Sequence, residues 1–184
     1  MSDPAAQTMD VDGFLAWSEG QEGRFELHEG AVVAMAPERY VHLEAKLAVV
    51  NALASAIRSG AAPCRALPDG ATIRASKTSA YVPDAVVYCG PRPEPGALEI
   101  PNPIIVVEVL SPSTAGVDHG VKLQAYFTLP SILHYLIVNP EQRMVIHHKR
   151  GVGDALETRI LGKGILKLDP PGLEIMAESL FELD

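Results

Sequence analysis

Three side chains in this sequence have the types and placement for metal-assisted chemistry: Asp84, Glu108 and Lys122. Glu108 stands inside IIVVEVLSPST, Ile104 to Thr114, the longest run of branched apolar residues in the chain. Such a run, closed by a Ser-Pro turn, reads as a strand buried on both faces. Alternation puts Ile104, Val106, Glu108 and Leu110 on one face and Ile105, Val107 and Val109 on the other. A carboxylate held there must meet a cation, a metal or several donors. One reading is a strand-end glutamate in a structural ion pair with a lysine or arginine. The neighbouring motifs favour a second.

Asp84 follows Pro83 at the entry of YVPDAVVYCG, which reads as a strand with Asp84 on the face of Val86 and Tyr88. Alone, an aspartate after proline is an ordinary turn residue. Lys122 lies on VDHGVKLQAYFTL, a predicted helix on which Asp118, Lys122 and Tyr126 fall at successive spacings of four. Lys122 either pairs with Asp118 at the surface or points back at the end of the carboxylate strand. Two carboxylates on adjacent strands make an oxygen site suited to Mg²⁺ or Mn²⁺. An ion there can activate water and offset charge on a phosphoryl transition state, with a lysine beside it to orient or deprotonate that water.

The elements that must position these groups follow from periodicity and punctuation. VDGFLAWSEG offers a short helix capped by Asp10 or Asp12, and RFELHEGAVVAMAP a hairpin turning at Glu29-Gly30, with Glu26 read as a solvent-facing strand residue. Leu43, Leu47, Val50, Ala54 and Ile57 recur at helical spacing from Tyr40 to Ile57; His42 near the helix start reads as a partly buried or capping histidine. CRAL and ATIRA around Pro68-Asp69-Gly70 suggest a second hairpin, and the proline-rich stretch from Pro91 to Pro103 a surface loop bridging the carboxylate strands. ILHYLIVN and RMVIHHKR form another hairpin, whose His147, His148, Lys149 and Arg150 read as a solvated strand end. ALETRILGKGILKLD forms one more, turning at Gly162-Lys163-Gly164, and GLEIMAESLFELD docks on the body.

At 184 residues the chain suits one domain, residues 1–184, with 1–9 a loose leader. Its 47% hydrophobic and 21% charged residues describe a soluble globular protein. A formal charge of -8 argues against coating nucleic acid by bulk electrostatics, so a nucleic-acid substrate needs a local basic surface or a bound metal. Cys64 and Cys89, in no metal-ligand spacing, read as reduced thiols of a cytoplasmic protein, and no segment has a signal-peptide or membrane-spanning pattern. No serine-hydrolase elbow, HExxH, phosphate loop or dinucleotide fingerprint is present.

The ordered set, Pro83-Asp84, then VVEVLSPST, then Asp118, Lys122 and Tyr126, resembles the PD-(D/E)xK nuclease superfamily and, more narrowly, the Uma-two family of restriction-endonuclease-like proteins. The similarity runs from FELHEGAVVAMAP to HYLIVNP. It implies an α/β fold, a restriction-endonuclease-like mixed sheet flanked by helices with additional β-hairpins. It further implies an ion, Mg²⁺ or Mn²⁺, held by Asp84, Glu108 and the main-chain carbonyl of Val109. Leu110 stands where the superfamily's strand lysine is expected, and the narrower family suggests Lys122 as a migrated lysine. His134, Leu136 and Asn139 also depart from the family's pattern.

The expectation is a metal-dependent endonuclease hydrolysing DNA, with Asp84, Glu108 and Lys122 at its centre. A homodimer would suit cutting two strands, with exposed strand edges or the tail as the pairing surface. Two rivals stand beside it. One is a nuclease-fold module without catalysis that serves binding or assembly, motivated by the acidic charge and the missing strand lysine. The other is a phosphoesterase acting on a small acidic substrate.

Overall fold

A computed structural model describes residues 8–110 and 118–181. The expected Ser111–Thr114 turn lies outside the described residues, as does most of the leader. Helix α1 (Val11–Ser18) is capped by Asp10, which accepts from the Gly13 amide at 2.8 Å. Strands β1 (Phe25–His28) and β2 (Ala31–Ala34) form the expected hairpin. Its two turn residues, Glu29 (φ 48°) and Gly30 (φ 86°), are both left-handed, the twist that a two-residue hairpin turn requires. Helix α2 (Tyr40–Gly60) follows. Its buried side is His42, Ala45, Lys46, Val49, Leu53 and Ile57, whereas Leu43 and Leu47 are half exposed.

Strands β3 (Cys64–Pro68), β6 (Ala85–Cys89), β7 (Pro103–Val109), β8 (His134–Asn139), β9 (Met144–Arg150) and β10 (Leu156–Leu161) form a mixed sheet in the order β10-β9-β8-β7-β6-β3. β7 runs antiparallel to β6 and parallel to β8. A smaller sheet, order β2-β1-β5-β4, is completed by β4 (Ile73–Arg74) and β5 (Ala80–Tyr81). β11 (Ile165–Leu168) and β12 (Leu173–Met176) make a separate hairpin.

The alternation read from the sequence holds through the centre of the sheet. Ala85, Val87, Ile105, Val107, Val109, Leu136 and Val138 pack with α2, β11 and β12 on one face, and the 3₁₀ turn Ala177–Leu180 docks the chain's end there. Val86, Tyr88, Val106, Tyr135 and Ile137 pack with Tyr126 and Ile132 on the other. With both faces covered, each fully buried Val or Ile contributes roughly 1.5–3 kcal/mol.

Two expected hairpins are not formed. β3 pairs with β6 while β4 pairs with β5, so Pro68-Asp69-Gly70 carries the chain from one sheet to the other. β10 likewise pairs back on β9, and Gly162-Lys163-Gly164 leads into a hairpin of different strands. YVPDAVVYCG is not one strand either. It breaks at Val82-Pro83-Asp84, where proline cannot donate to a ladder and the chain crosses from β5 to β6. Cys64 and Cys89, expected as reduced thiols, are cross-strand partners and are joined as a disulfide.

The basic cluster on β9 is not a solvated end. Arg150 donates to the carbonyls of Phe127, Leu129 and Ile132, and His147 and His148 are buried. His134 Nε2 donates to the Pro170 carbonyl at 2.8 Å, which leaves its Nδ1 to accept from His147 Nε2 at 2.8 Å. Burial pushes His134 down to about 4 and His147, also facing His134, down to about 3.

The native pair therefore stays neutral between pH 7 and 5 while the unfolded chain takes up protons near pH 6.5. Stability is full above that value and falls as pH drops. Urea unfolding at pH 7, 6 and 5 is expected to lose roughly 4 kcal/mol across the series, about 2 from each histidine. The His134→Gln protein should show a shallower slope, and equal slopes would refute the assignment.

Candidate functional site

Because β6 and β7 are antiparallel, the start of one meets the end of the other. Continuing their register past Ala85 and Val107 sets Asp84 beside Glu108 at one edge of the large sheet. Asp84 and Glu108 are 6% and 3% exposed. The Val109 amide donates to Asp84 Oδ2 at 2.6 Å, so the carboxylate is fixed by its neighbouring strand. The smaller sheet lies at the same edge, and the crossing at Val82-Pro83 ties the two together. The Val82 amide, free of any ladder, donates to Glu26 Oε1 on β1 at 3.0 Å.

Two lysines reach this edge from different helices. Lys122 ends a π-helical turn, Asp118–Lys122, that runs into helix α3 (Leu123–Phe127). It is 4% exposed, and its Nζ lies 3.0 Å from Glu108 Oε1 and 2.9 Å from Glu26 Oε1. Of the two orientations read from the sequence, Lys122 takes the inward one. Tyr126, one turn on, donates its hydroxyl to Glu108 Oε1 at 2.7 Å. Burial pushes the Tyr126 phenol well above its ordinary range, with the charges of Glu108 and Glu26 adding to the effect.

Lys46 comes from the opposite side, on the buried face of α2. Its Nζ lies 2.6 Å from Asp84 Oδ1 and 2.9 Å from Asp69 Oδ2, and it also donates to Glu38 Oε1. Arg24 closes this group at the surface, 3.1 Å from Glu38 and 2.8 Å from Asp69. Burial works against the Lys46 charge, but Asp84, Glu38 and Asp69 outweigh it and its proton is held more tightly than usual. Burial pushes the Asp84 carboxyl up, against the pull of Lys46. Glu26 is also desolvated. His28, Lys122 and the Val82 amide more than compensate, holding it below the usual carboxylate range.

The three residues predicted for the site, Asp84, Glu108 and Lys122, thus lie at one sheet edge. Glu26, Lys46, Glu38 and Asp69 join them without having been predicted. Glu26 was read as a solvent-facing residue of a hairpin strand. In the structure Leu27 is buried in the small core formed with α1, while Glu26 faces the large sheet's edge. β1 is covered on both sides, and one charged residue on a short strand carries no signal of that. His42 is buried, in line with its structural reading.

The donor set fits a hard divalent cation, since every acid at the edge offers carboxylate oxygen. Glu38, Asp69 and Asp84 present ligand atoms within 4.8 Å of one another. Five carboxylates, Glu26, Glu38, Asp69, Asp84 and Glu108, face three cationic side chains, Lys46, Lys122 and Arg24. Among the described residues that leaves two formal negative charges. No helix among the described residues is long and apolar enough to cross a membrane.

Comparison with known proteins places this geometry among relatives. The family model Uma2, described as "Putative restriction endonuclease", matches residues 11–178. An uncharacterized protein of Synechocystis sp. is 28% identical over 170 residues, covering 91% of this chain and 88% of that protein. A second uncharacterized protein of the same organism is 32% identical over 93 residues, 48% of this chain and 52% of its own length. The crystal structure of a "putative nuclease belonging to DUF820" from Anabaena variabilis superposes with a TM-score of 0.70 at 18% identity, covering 94% of this chain and 97% of that one.

Proposed function

The chain belongs to the Uma2 family and has a restriction-endonuclease-like fold, and from that premise we propose that it is a metal-dependent endonuclease acting on DNA. The observation that carries the reading is the pairing of Asp84 and Glu108 at one sheet edge with Lys122 from the following helix buried against Glu108. Asp84, Glu108 and the Val109 carbonyl are the residues that would hold Mg²⁺ or Mn²⁺. When bound, such an ion supplies an acidified water and charge for the phosphoryl oxygens.

The chain's own groups do the positioning. Tyr126 fixes the orientation of Glu108 through its hydroxyl. The Val109 amide fixes Asp84. Lys122, buried between Glu108 and Glu26, keeps its charge at the edge where water attacks the phosphorus and orients that water. Residues 1–184 act as one domain in this reading. Two copies pair along β2, an edge strand whose four residues are all exposed.

The test is cleavage of supercoiled plasmid with Mg²⁺ or Mn²⁺ by the native chain, Asp84→Ala and Glu108→Ala. Nicking by the native chain, lost in both variants, is the expected result. Activity surviving in both would sink the assignment.

One observation favours a second reading, a nuclease-fold binding module. Lys46 holds Asp84 in an ion pair, as a structural role would require. Mn²⁺ titration separates the two readings, because a module needs no ion at Asp84 and Glu108.

A further inference from the structure

We infer that Lys46 is a resident cation of the metal site. Its ammonium pairs with Asp84 and would yield that carboxylate to a divalent ion by sliding onto Glu38 and Asp69. The inference rests on Asp84 being a metal ligand and adds a group that the family resemblance does not assign.

The argument begins with the two oxygens of Asp84. Oδ2 is taken by the Val109 amide and Oδ1 by Lys46 Nζ. An ion taking Oδ1 would meet the like charge of Lys46 there, and Oδ2 is already held by the Val109 amide, so ion and ammonium compete for Asp84 in this arrangement. Lysine is the side chain suited to yield. It is a compact charge on a flexible four-carbon stem, with no fork to pin it in two places.

The structure also provides somewhere for the ammonium to go. Lys46 already touches Glu38 Oε1 and Asp69 Oδ2, neither of which is assigned to the metal. Glu38 Oε2, buried, has no hydrogen-bond partner, so a second acceptor waits within the same carboxylate. Releasing Asp84 therefore requires neither exposure of Lys46 nor loss of its charge. Arg24, bound to the same two acids and 40% exposed, can withdraw toward solvent to make room.

Lys46 thus has two effects of opposite sign. It holds Asp84 in place before metal arrives, and it competes with the metal for the same oxygen. If competition dominates, removing the ammonium tightens metal binding. A purely structural lysine would have the reverse effect, because its loss would disorder Asp84.

The experiment is Mn²⁺ binding to the full chain, read by electron paramagnetic resonance of free Mn²⁺ and needing no DNA or turnover. Lys46→Met is expected to bind about tenfold more tightly than the native chain, and Lys46→Arg, whose fork pins Asp84, more weakly. Circular dichroism confirms that each variant is folded. A folded Lys46→Met protein with unchanged or weaker Mn²⁺ affinity overturns the inference.

Should that variant fail to fold, the ¹⁵N signal of Lys46 Nζ in the native chain decides. It should move on Mg²⁺ addition and stay still in Asp84→Asn, and an unmoved native signal counts against displacement. If the native chain cleaves plasmid but Lys46→Met binds Mn²⁺ no better, the resident-cation role alone falls. If no protein binds Mn²⁺, the metal assignment of Asp84 and Glu108 falls with it.

Discussion

Glu108→Gln is expected to lower Mg²⁺-dependent plasmid nicking by at least about 10²–10³-fold while leaving the chain folded. Glutamine keeps the volume of glutamate and an Oε1 that can still accept from Tyr126. Lys122 retains Glu26 as its counter-ion. What disappears is one of the two carboxylate charges assigned to the metal. The structural cost should stay near 1–3 kcal/mol, because a charge-assisted hydrogen bond is weakened but no polar group is stranded.

Glu108→Ala differs in kind. It opens a cavity beside Tyr126, whose buried hydroxyl loses the acceptor seen here, and leaves Lys122 half compensated. Its cost should approach about 3–5 kcal/mol. Urea midpoints measured alongside nicking rates separate the two effects. A Gln variant as stable as native yet inactive assigns Glu108 to the chemistry, whereas native-like nicking by that variant would remove it from the metal site.

Glu108 was legible from sequence because a charged residue inside IIVVEVL contradicts its surroundings, and such a contradiction is expected where function overrides local preference. Asp84 was legible for a related reason, Pro83 before an apolar strand. Of their partners, Lys122 was legible as one of two orientations, while Glu26 and Lys46 were not. Lys46 sits at a helical position whose neighbours Leu43 and Leu47 are apolar and half exposed, so the hydrophobic spacing, right for Ile57 and Val50, pointed away from the buried side at the start of α2. The side actually buried is rich in alanine and includes His42 and Lys46, and Lys46 meets its carboxylates only in the tertiary structure.

Strand pairing was missed for a different reason. Turn residues at Pro68-Asp69-Gly70 and Gly162-Lys163-Gly164 report that the chain bends, but not which strand it meets next. β3 finds β6, and β10 finds β9, by burying apolar faces in the large sheet. The disulfide follows from that pairing and not from the spacing of Cys64 and Cys89.

Lys122→Met should damage the site in the absence of metal as much as Glu108→Ala does, because it leaves Glu26 and Glu108 facing each other in a buried edge without the ammonium between them. The expected loss is about 3–5 kcal/mol near neutral pH, read as a fall in urea midpoint. Mg²⁺ should restore part of it, since an ion at Glu108 neutralises the same repulsion, so the variant's midpoint should rise more with Mg²⁺ than the native one.

Cleavage then separates two roles for the lysine. If Lys122 only balances charge, saturating Mg²⁺ should restore nicking along with stability. If it orients the attacking water, a refolded, metal-loaded Lys122→Met protein should stay about 10²–10³-fold slow. The proposed mechanism requires the second outcome. Full recovery of nicking with Mg²⁺ would reduce Lys122 to a counter-ion and pass the water-orienting role to another group at the edge, with Lys46 the nearest buried candidate on the Asp84 side.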